Sequence, residues 1–133
     1  KDCDEAMNWY RKSLQLNPTE RKACYGMGYC FNSKEQFANA IGYLKTAIEN
    51  EPSYTAAYIE LGYAYYRTDK FTDEETCVNK ASEMSPKNEN ARYYACLMYV
   101  KQKNKAKAQR MVDELKALSS KHVTTLQPKV NGL

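Results

Sequence analysis

Residues 21–52 read RKACYGMGYCFNSKEQFANAIGYLKTAIENEP, and this stretch decides the fold. Its first part places small and apolar residues at the i, i+3, i+4 and i+7 spacing of one helix face: Cys24, Met27, Gly28 and Phe31. Its second part repeats that spacing with a second set: Phe37, Ala40, Ile41, Leu44, Ala47 and Ile48. The pattern therefore predicts two amphipathic helices, near 21–34 and 37–50, each about 20 Å long.

The same pattern recurs along the chain with a period of 34 residues. Three prolines mark the period, since one step leads from Pro18 to Pro52 and the next to Pro86, while a further step reaches Ser120. Other columns keep their character at the same step: Gly28, Gly62 and Cys96; Phe31, Tyr65 and Tyr99; Met27, Leu61 and Ala95; Tyr10, Leu44, Val78 and Val112. Each proline lies just past a second helix, where it can end one helix and start the next. A fixed period of this length indicates a stacked helical repeat protein.

The period and these columns resemble the tetratricopeptide repeat family. The resemblance implies an all-α fold, an alpha-alpha superhelix or solenoid of helix-turn-helix repeats. We expect residues 1–20 to be the second helix of a truncated first repeat, followed by repeats at 21–54, 55–88 and 89–120, with a flexible tail at 121–133. The apolar phase predicts seven helices, near residues 3–17, 21–34, 37–50, 55–68, 71–84, 89–102 and 105–119.

Two features test the register of this alignment. Gly28 and Gly62 cost helix propensity, and we expect them to let a neighbouring helix approach the backbone closely. Glu74 stands in a column that holds alanine at positions 6, 40 and 108. Because a buried carboxylate without a partner is costly, we predict that Glu74 extends to the edge of its helix pair and loosens it.

The cysteines and the ends of the chain bear on the compartment. The five cysteines lack the short spacings of a zinc site, so we expect reduced thiols in a reducing, cytoplasmic compartment. Lys1 lies within a predicted helix and no initiator Met precedes it, so we expect a piece of a longer protein. The sequence contains no apolar run of 18 residues, so no membrane span is predicted.

In the family that the chain resembles, partners bind on the concave side, which the first helices of the repeats line. The columns of these helices that the core does not use are rich in tyrosine, of which the chain has 12. Aromatic surfaces with a few Arg and Asn residues are typical of binding sites. The predicted partner-binding residues are Lys22, Tyr25, Tyr29, Asn32, Ile59, Tyr63, Tyr66, Arg67, Asn90, Tyr93, Leu97 and Lys101. We expect Tyr29 and Tyr63 to be open; the alternative is that the tyrosines only seal the helices together.

One ligand of the family can be compared residue by residue. Some members hold the C-terminal carboxylate of heat-shock chaperones with Lys, Asn, Asn, Lys and Arg. The matching positions here hold Tyr25, Tyr29, Glu60, Asn90 and Tyr94. Four of the five differ in kind and Glu60 would repel a carboxylate, so this ligand is disfavoured.

The sequence favours a non-enzymatic scaffold or adaptor that binds a peptide or protein in its groove. His122 is the single histidine, and no phosphate loop, metal cluster, cofactor motif or small-molecule site is evident. Self-assembly through apolar end faces is the alternative. Nucleic-acid binding through the basic residues 101–121 is less favoured, because Lys101, Lys103, Lys105 and Lys107 spread around their helices and form no single stripe.

Overall fold

A computed structural model describes residues 2–133, and these residues form helices joined by short turns, without a strand. Over this range the helices number eight: α1 (Cys3–Leu16), α2 (Arg21–Ser33), α3 (Phe37–Asn50), α4 (Thr55–Arg67), α5 (Phe71–Met84), α6 (Glu89–Lys101), α7 (Lys105–Ala117) and α8 (Val123–Asn131). The all-helical solenoid is confirmed. The predicted number of seven helices is wrong by one, because α8 was not foreseen.

The helices pack as consecutive hairpins. Helices α2 and α3, α4 and α5, and α6 and α7 form pairs, and α1 packs on α2 in the place of a second helix. The first helices of successive pairs also touch, α2 with α4 and α4 with α6, so they line one side of the stack. Repeats of this kind bury their apolar faces only by stacking on their neighbours. None of the helices within residues 2–133 is both long and apolar enough to cross a membrane.

The turn inside each hairpin explains how the chain turns without glycine. Glu35, Asp69 and Lys103 lie one period apart, and their φ values are 60°, 59° and 58°. Each is followed by a backbone N–H that donates to a carbonyl five residues earlier, as Gln36 does to Phe31 at 2.9 Å. This closure satisfies the last carbonyls of the helix and commonly uses glycine at the left-handed position. Hydrogen bonding and packing therefore hold three non-glycine residues in a conformation that is unfavourable for them.

The two helical glycines in the first-helix columns differ in their surroundings. A Cβ added to Gly28 would lie 2.4 Å from Cγ of Leu44, so the expected close approach of a neighbouring helix is present there. The contacting residue is Leu44 of the second helix, α3. A Cβ added to Gly62 would meet Val78 Cγ1 at 3.4 Å, an ordinary contact distance. The close approach therefore requires glycine in the first complete repeat and not in the second.

Glu74 contradicts the prediction that it would extend to the edge of its helix pair. Its side chain is fully buried at 0% exposure, and neither carboxyl oxygen has a hydrogen-bond partner within the described range. Burial raises the pKa of Glu74 to about 8, with the Lys101 charge opposing the shift. Helix α5 nevertheless has the predicted bounds, 71–84, so the register was right. The carboxyl group is accommodated mainly in its neutral, protonated form at neutral pH.

The tail also differs from prediction, because Val123–Asn131 form helix α8 where no helix was predicted. Its Leu126 and Val130 are fully buried in the last core cluster, against residues of α6 and α7. Ser119, at φ 57°, makes the same left-handed turn that closes the hairpins. Gln109 and Gln127 exchange side-chain hydrogen bonds of 2.8 and 3.2 Å across α7 and α8. The tail is thus docked by the two buried apolar residues, which lie one helical turn apart, together with these side-chain hydrogen bonds.

The expectation of five reduced thiols is wrong as well. Cys3 of α1 and Cys30 of α2 are joined by a disulfide bond. The remaining three cysteines, at positions 24, 77 and 96, are free and buried among apolar side chains. The argument from reduced thiols to a reducing, cytoplasmic compartment therefore loses its basis.

Candidate functional site

The first helices of the repeats form a shallow groove with a pocket at its N-terminal end. Helices α2, α4 and α6 contribute one row of side chains each, because residues of the same column recur at the same height of successive helices. The pocket has a volume of about 220 Å³. It is lined by Tyr29, Asn32, Ser33, Glu35, Glu60, Tyr63, Arg67 and Tyr94.

Tyrosine rings form the walls of this pocket. Tyr29 is the most open of them, with 47% of its surface exposed. The ring centroids of Tyr63 and Tyr94 lie 5.5 Å apart, and Tyr93 follows at 5.4 Å from Tyr94. Burial raises the pKa of Tyr94, and the nearby Glu60 carboxylate raises it further. The phenol of Tyr94 is therefore neutral at physiological pH and presents an uncharged ring to the groove.

An amide and a carboxylate form the floor of the pocket. Asn32 is 3% exposed, and its Nδ2 donates to both the backbone oxygen and Oε1 of Glu60 at 3.0 Å. The Oδ1 atom of Asn32 accepts no hydrogen bond from any residue in the range 2–133. Glu60 is half-buried, and this burial raises its pKa while the Asn32 amide acts in the opposite direction. The floor therefore has more hydrogen-bond acceptors than donors.

Arg67 closes one edge of the pocket. Its Nη1 donates to the Tyr63 hydroxyl at 2.8 Å, and its Nη2 lies 3.3 Å from Oε1 of Glu35. The guanidinium carbon also lies over the rings of Phe37 and Tyr63, at 4.9 and 5.8 Å from their centroids. Arg67 thus has an intramolecular partner for its charge and holds the Tyr63 ring in place.

The C-terminal end of the groove is filled. Lys101 donates to the backbone oxygen of Tyr66 at 2.9 Å and to Asp69 at 3.1 Å, and its Nζ lies 4.0 Å from the Tyr66 ring centroid. The ring of His122, next to α8, lies 4.5 Å from that of Tyr93. His122 is therefore half-buried against an aromatic ring.

The predicted groove residues separate into four groups. Four of them line the pocket together: Tyr29, Asn32, Tyr63 and Arg67. Lys22 and Asn90 are exposed outside the pocket. A third group is half-buried in packed clusters: Tyr25, Tyr66, Tyr93 and Leu97. Lys101 lies over the ring of Tyr66 in this group. Ile59 was expected on the groove surface, but it is only 6% exposed and packs with Ala81 and Ala91 between repeats. The role of the predicted groove residues in binding stays a prediction.

The predicted list of site residues lacks four residues of the pocket: Ser33, Glu35, Glu60 and Tyr94. Glu60 and Tyr94 are one period apart and had been considered only as positions that fail to match a carboxylate clamp. Their common column was the available signal. Glu35 lies in a turn, and no helical period could have placed it at the groove.

The basic C-terminal region has partners within the fold. Lys107 lies 3.4 Å from Glu75, and Arg110 lies 3.8 Å from Glu114, which also pairs with Arg92 at 2.9 Å. These pairs reduce the charge that the region could present to a polyanion. Residues 2–133 contain no cluster of three or more His, Cys, Asp or Glu side chains suited to a metal ion.

Comparison with known proteins identifies the repeat. The profile described as "Tetratricopeptide repeat" matches residues 22–54 and 55–88, which is half of the chain. The protein O-mannosyl-transferase Tmtc3 of Drosophila melanogaster is 26% identical over 106 residues, which are 79% of this chain and 11% of that protein. The chain therefore spans only a small part of that relative's length.

Two solved structures show the likeness of the fold. The double mutant of MamA RS-1 superposes with a TM-score of 0.82 at 22% identity, covering 89% of this chain and 66% of that one. The TPR2B domain of yeast Sti1, solved in a complex with a pHsp70 component, has a TM-score of 0.79 at 18% identity and covers 84% of this chain and 96% of its own. At these identities the likeness concerns the fold alone.

Proposed function

The chain belongs to the tetratricopeptide repeat family, and from this premise we propose that it is a non-enzymatic scaffold or adaptor domain that binds a peptide segment of a partner protein in its groove. The observation that carries the proposal is the open aromatic pocket between α2, α4 and α6. Tyr29 there is exposed although large aromatic side chains usually pack inside. The structure of the yeast Sti1 domain in complex with a pHsp70 component supports a peptide-binding role for this fold.

The groove variant Tyr29→Ala/Tyr63→Ala tests the proposal. Peptides are selected from a displayed random library on the whole chain, and their affinities are measured by fluorescence anisotropy. We expect the double variant to bind them at least tenfold more weakly, because central aromatic anchors dominate such interfaces. Circular dichroism at 222 nm should show the wild-type helix content.

The matched control is Tyr43→Ala. Tyr43 is also a half-buried tyrosine, but it lies on the second helix α3 and stacks on Phe31 at 5.6 Å. Its loss should lower the melting temperature modestly and leave peptide affinity unchanged. Unchanged affinity in the groove variant, or equal losses in both variants, would refute the groove as the binding site.

Self-association is the second candidate function, and one observation favours it. Trp9 and Leu16 of α1 are 65% and 91% exposed, so they leave an apolar area at one end of the stack. Light scattering over a concentration series separates the two functions. A monomer at all concentrations that still binds the selected peptides supports the groove and removes self-association.

A further inference from the structure

The pocket lined by Tyr29, Glu60, Tyr63 and Tyr94 combines aromatic walls with an acidic floor. We propose that it receives the positively charged side chain of a lysine or arginine in the bound peptide. This inference rests on the proposed peptide-binding function and specifies the chemistry of its ligand. Three observations support it: the unpaired carboxylate, the excess of acceptors and the arrangement of the rings.

The first observation is that Glu60 has no cationic partner among residues 2–133. None of the ion pairs formed by the part of the chain that the structure describes includes Glu60. Its hydrogen-bond donor is the neutral amide of Asn32. A half-buried carboxylate gains most from a cation that brings its own N–H donors. A peptide cation would supply the charge that the fold does not.

The second observation concerns hydrogen-bonding capacity at the floor. Asn32 is nearly fully buried, and its amide nitrogen is already committed to Glu60. The Asn32 Oδ1 has no donor among residues 2–133. The Asn32 carbonyl oxygen and the Glu60 carboxylate therefore leave the floor with more acceptors than donors. An ammonium or guanidinium group, which has only donors, complements such a site.

The third observation is the aromatic wall. Neutral tyrosine rings attract cations at their faces. The groove already contains this interaction in its own structure, since Arg67 lies 4.9 Å from the Phe37 ring centroid and Lys101 lies 4.0 Å from that of Tyr66. The exposed Tyr29 ring and the Tyr63–Tyr94 pair have space beside them for one more cation.

Among the described residues that line the pocket, Arg67 carries the only positive charge, and this charge is matched. Its guanidinium pairs with Glu35 on the outer edge and is held by the Tyr63 hydroxyl. Counting Glu35, Glu60 and Arg67, the lining carries one net negative charge when both carboxyl groups are ionised. The pocket, with a volume of about 220 Å³, has room for the head group of a lysine or arginine. A peptide carboxylate would meet Glu60 and be repelled.

The test uses three small probes with the whole ¹⁵N-labelled chain: N-acetyl-lysine methylamide, its neutral norleucine analogue and its acidic glutamate analogue. We expect the lysine probe to shift the amide signals of residues that line the pocket. The norleucine probe should bind at least fivefold more weakly, and the glutamate probe should cause no saturable shift. Equal binding of lysine and norleucine, or tighter binding of glutamate, would overturn the inference.

The decisive variant is Glu60→Gln, which keeps the shape and the acceptor for Asn32 while removing the charge. We expect it to weaken the lysine probe at least fivefold and to leave the norleucine probe unchanged. Glu49→Gln is the matched control, because Glu49 is an exposed glutamate on α3 outside the groove. Lysine binding that survives Glu60→Gln unchanged contradicts the inference. The groove proposal would then still stand if Tyr29→Ala/Tyr63→Ala abolishes binding of the selected peptides, so the two failures are distinguishable.

Discussion

The two ends of the groove are built from the same repeat columns, and they differ in what fills them. At the N-terminal end, Tyr29, Tyr63 and Tyr94 surround an open space above Glu60. At the C-terminal end, Lys101 covers Tyr66 and His122 covers Tyr93. The difference teaches that a repeat column specifies where a side chain lies on the helix, whereas its neighbours decide whether that side chain is available to a ligand.

Two carboxyl groups, the half-buried Glu60 and the fully buried Glu74, differ in the same way between the two ends. Glu60, at the open end, has an amide donor and contact with solvent. Glu74, beneath the closed end, has neither. Burial raises the pKa of both, and raises that of Glu74 to about 8. The open end therefore keeps a group that can interact with a ligand, and the closed end keeps one that only costs stability.

The largest expected effect concerns the helix that closes the C-terminal end. Leu126→Ala removes a fully buried side chain of α8. We expect the free energy of unfolding to fall by about 2–5 kcal/mol, the usual cost of a buried leucine truncated to alanine. Urea denaturation followed by circular dichroism measures it. Tyr29→Ala at the open end is the comparison and should cost less than about 1 kcal/mol. Equal losses would mean that the two ends are equally packed.

The second prediction concerns pH and Glu74. The folded pKa of about 8 exceeds the ordinary value of 4.5, so the folded protein binds more protons between these two values. Below pH 4.5 the carboxyl group is protonated in both states and does not lower the free energy of unfolding. As the pH rises from 4.5 towards 8, the free energy of unfolding falls, and the loss is about 3 kcal/mol at pH 7.

Glu74→Gln removes this titration. The variant should match the wild type near pH 4.5 and exceed it in unfolding free energy at pH 7 and 8. The exposed Glu83→Gln on the same helix is the control and should leave the pH dependence unchanged. If the difference in unfolding free energy between the wild type and Glu74→Gln does not change with pH, the carboxyl group is hydrated in the folded protein.

The smallest effects distinguish the glycines of two successive first helices. Gly28→Ala forces a methyl group against Leu44, and we expect a net loss of about 1–2 kcal/mol, since overpacking outweighs the gain in helix propensity. Gly62→Ala has room for its methyl group and should gain up to about 1 kcal/mol. Thermal melts of the two variants compare them directly, and shifts of the same sign would contradict the difference in packing.

Much of the fold could be predicted because helices and their period depend on local spacing. The bounds of α3 and α5 were predicted without error at 37–50 and 71–84. Helix α8 was missed because it is short and contains Pro128, so its sequence shows little periodicity. Only the uncovered face of the last hairpin gives Leu126 and Val130 a place to be buried.

The candidate site was predicted less completely, since exposure depends on neighbours that are distant in sequence. The columns located Tyr29, Asn32, Tyr63 and Arg67 at the pocket, but they also included Ile59, which the next repeat covers. From the sequence, Glu60 is recognisable only as a charge that would repel a carboxylate ligand, because the sequence does not show that Asn32 holds it at the floor of a pocket.

The sequence alone determined the repeat, its period and the helix faces, because the spacing of apolar residues along a helix involves only residues that are close in sequence. The tertiary structure decided which end of the groove stayed open, that Cys3 would join Cys30 and that Glu74 would be enclosed. The disulfide and the floor of the open end join residues that are 27 and 28 positions apart, and such contacts exist only after the hairpins have stacked.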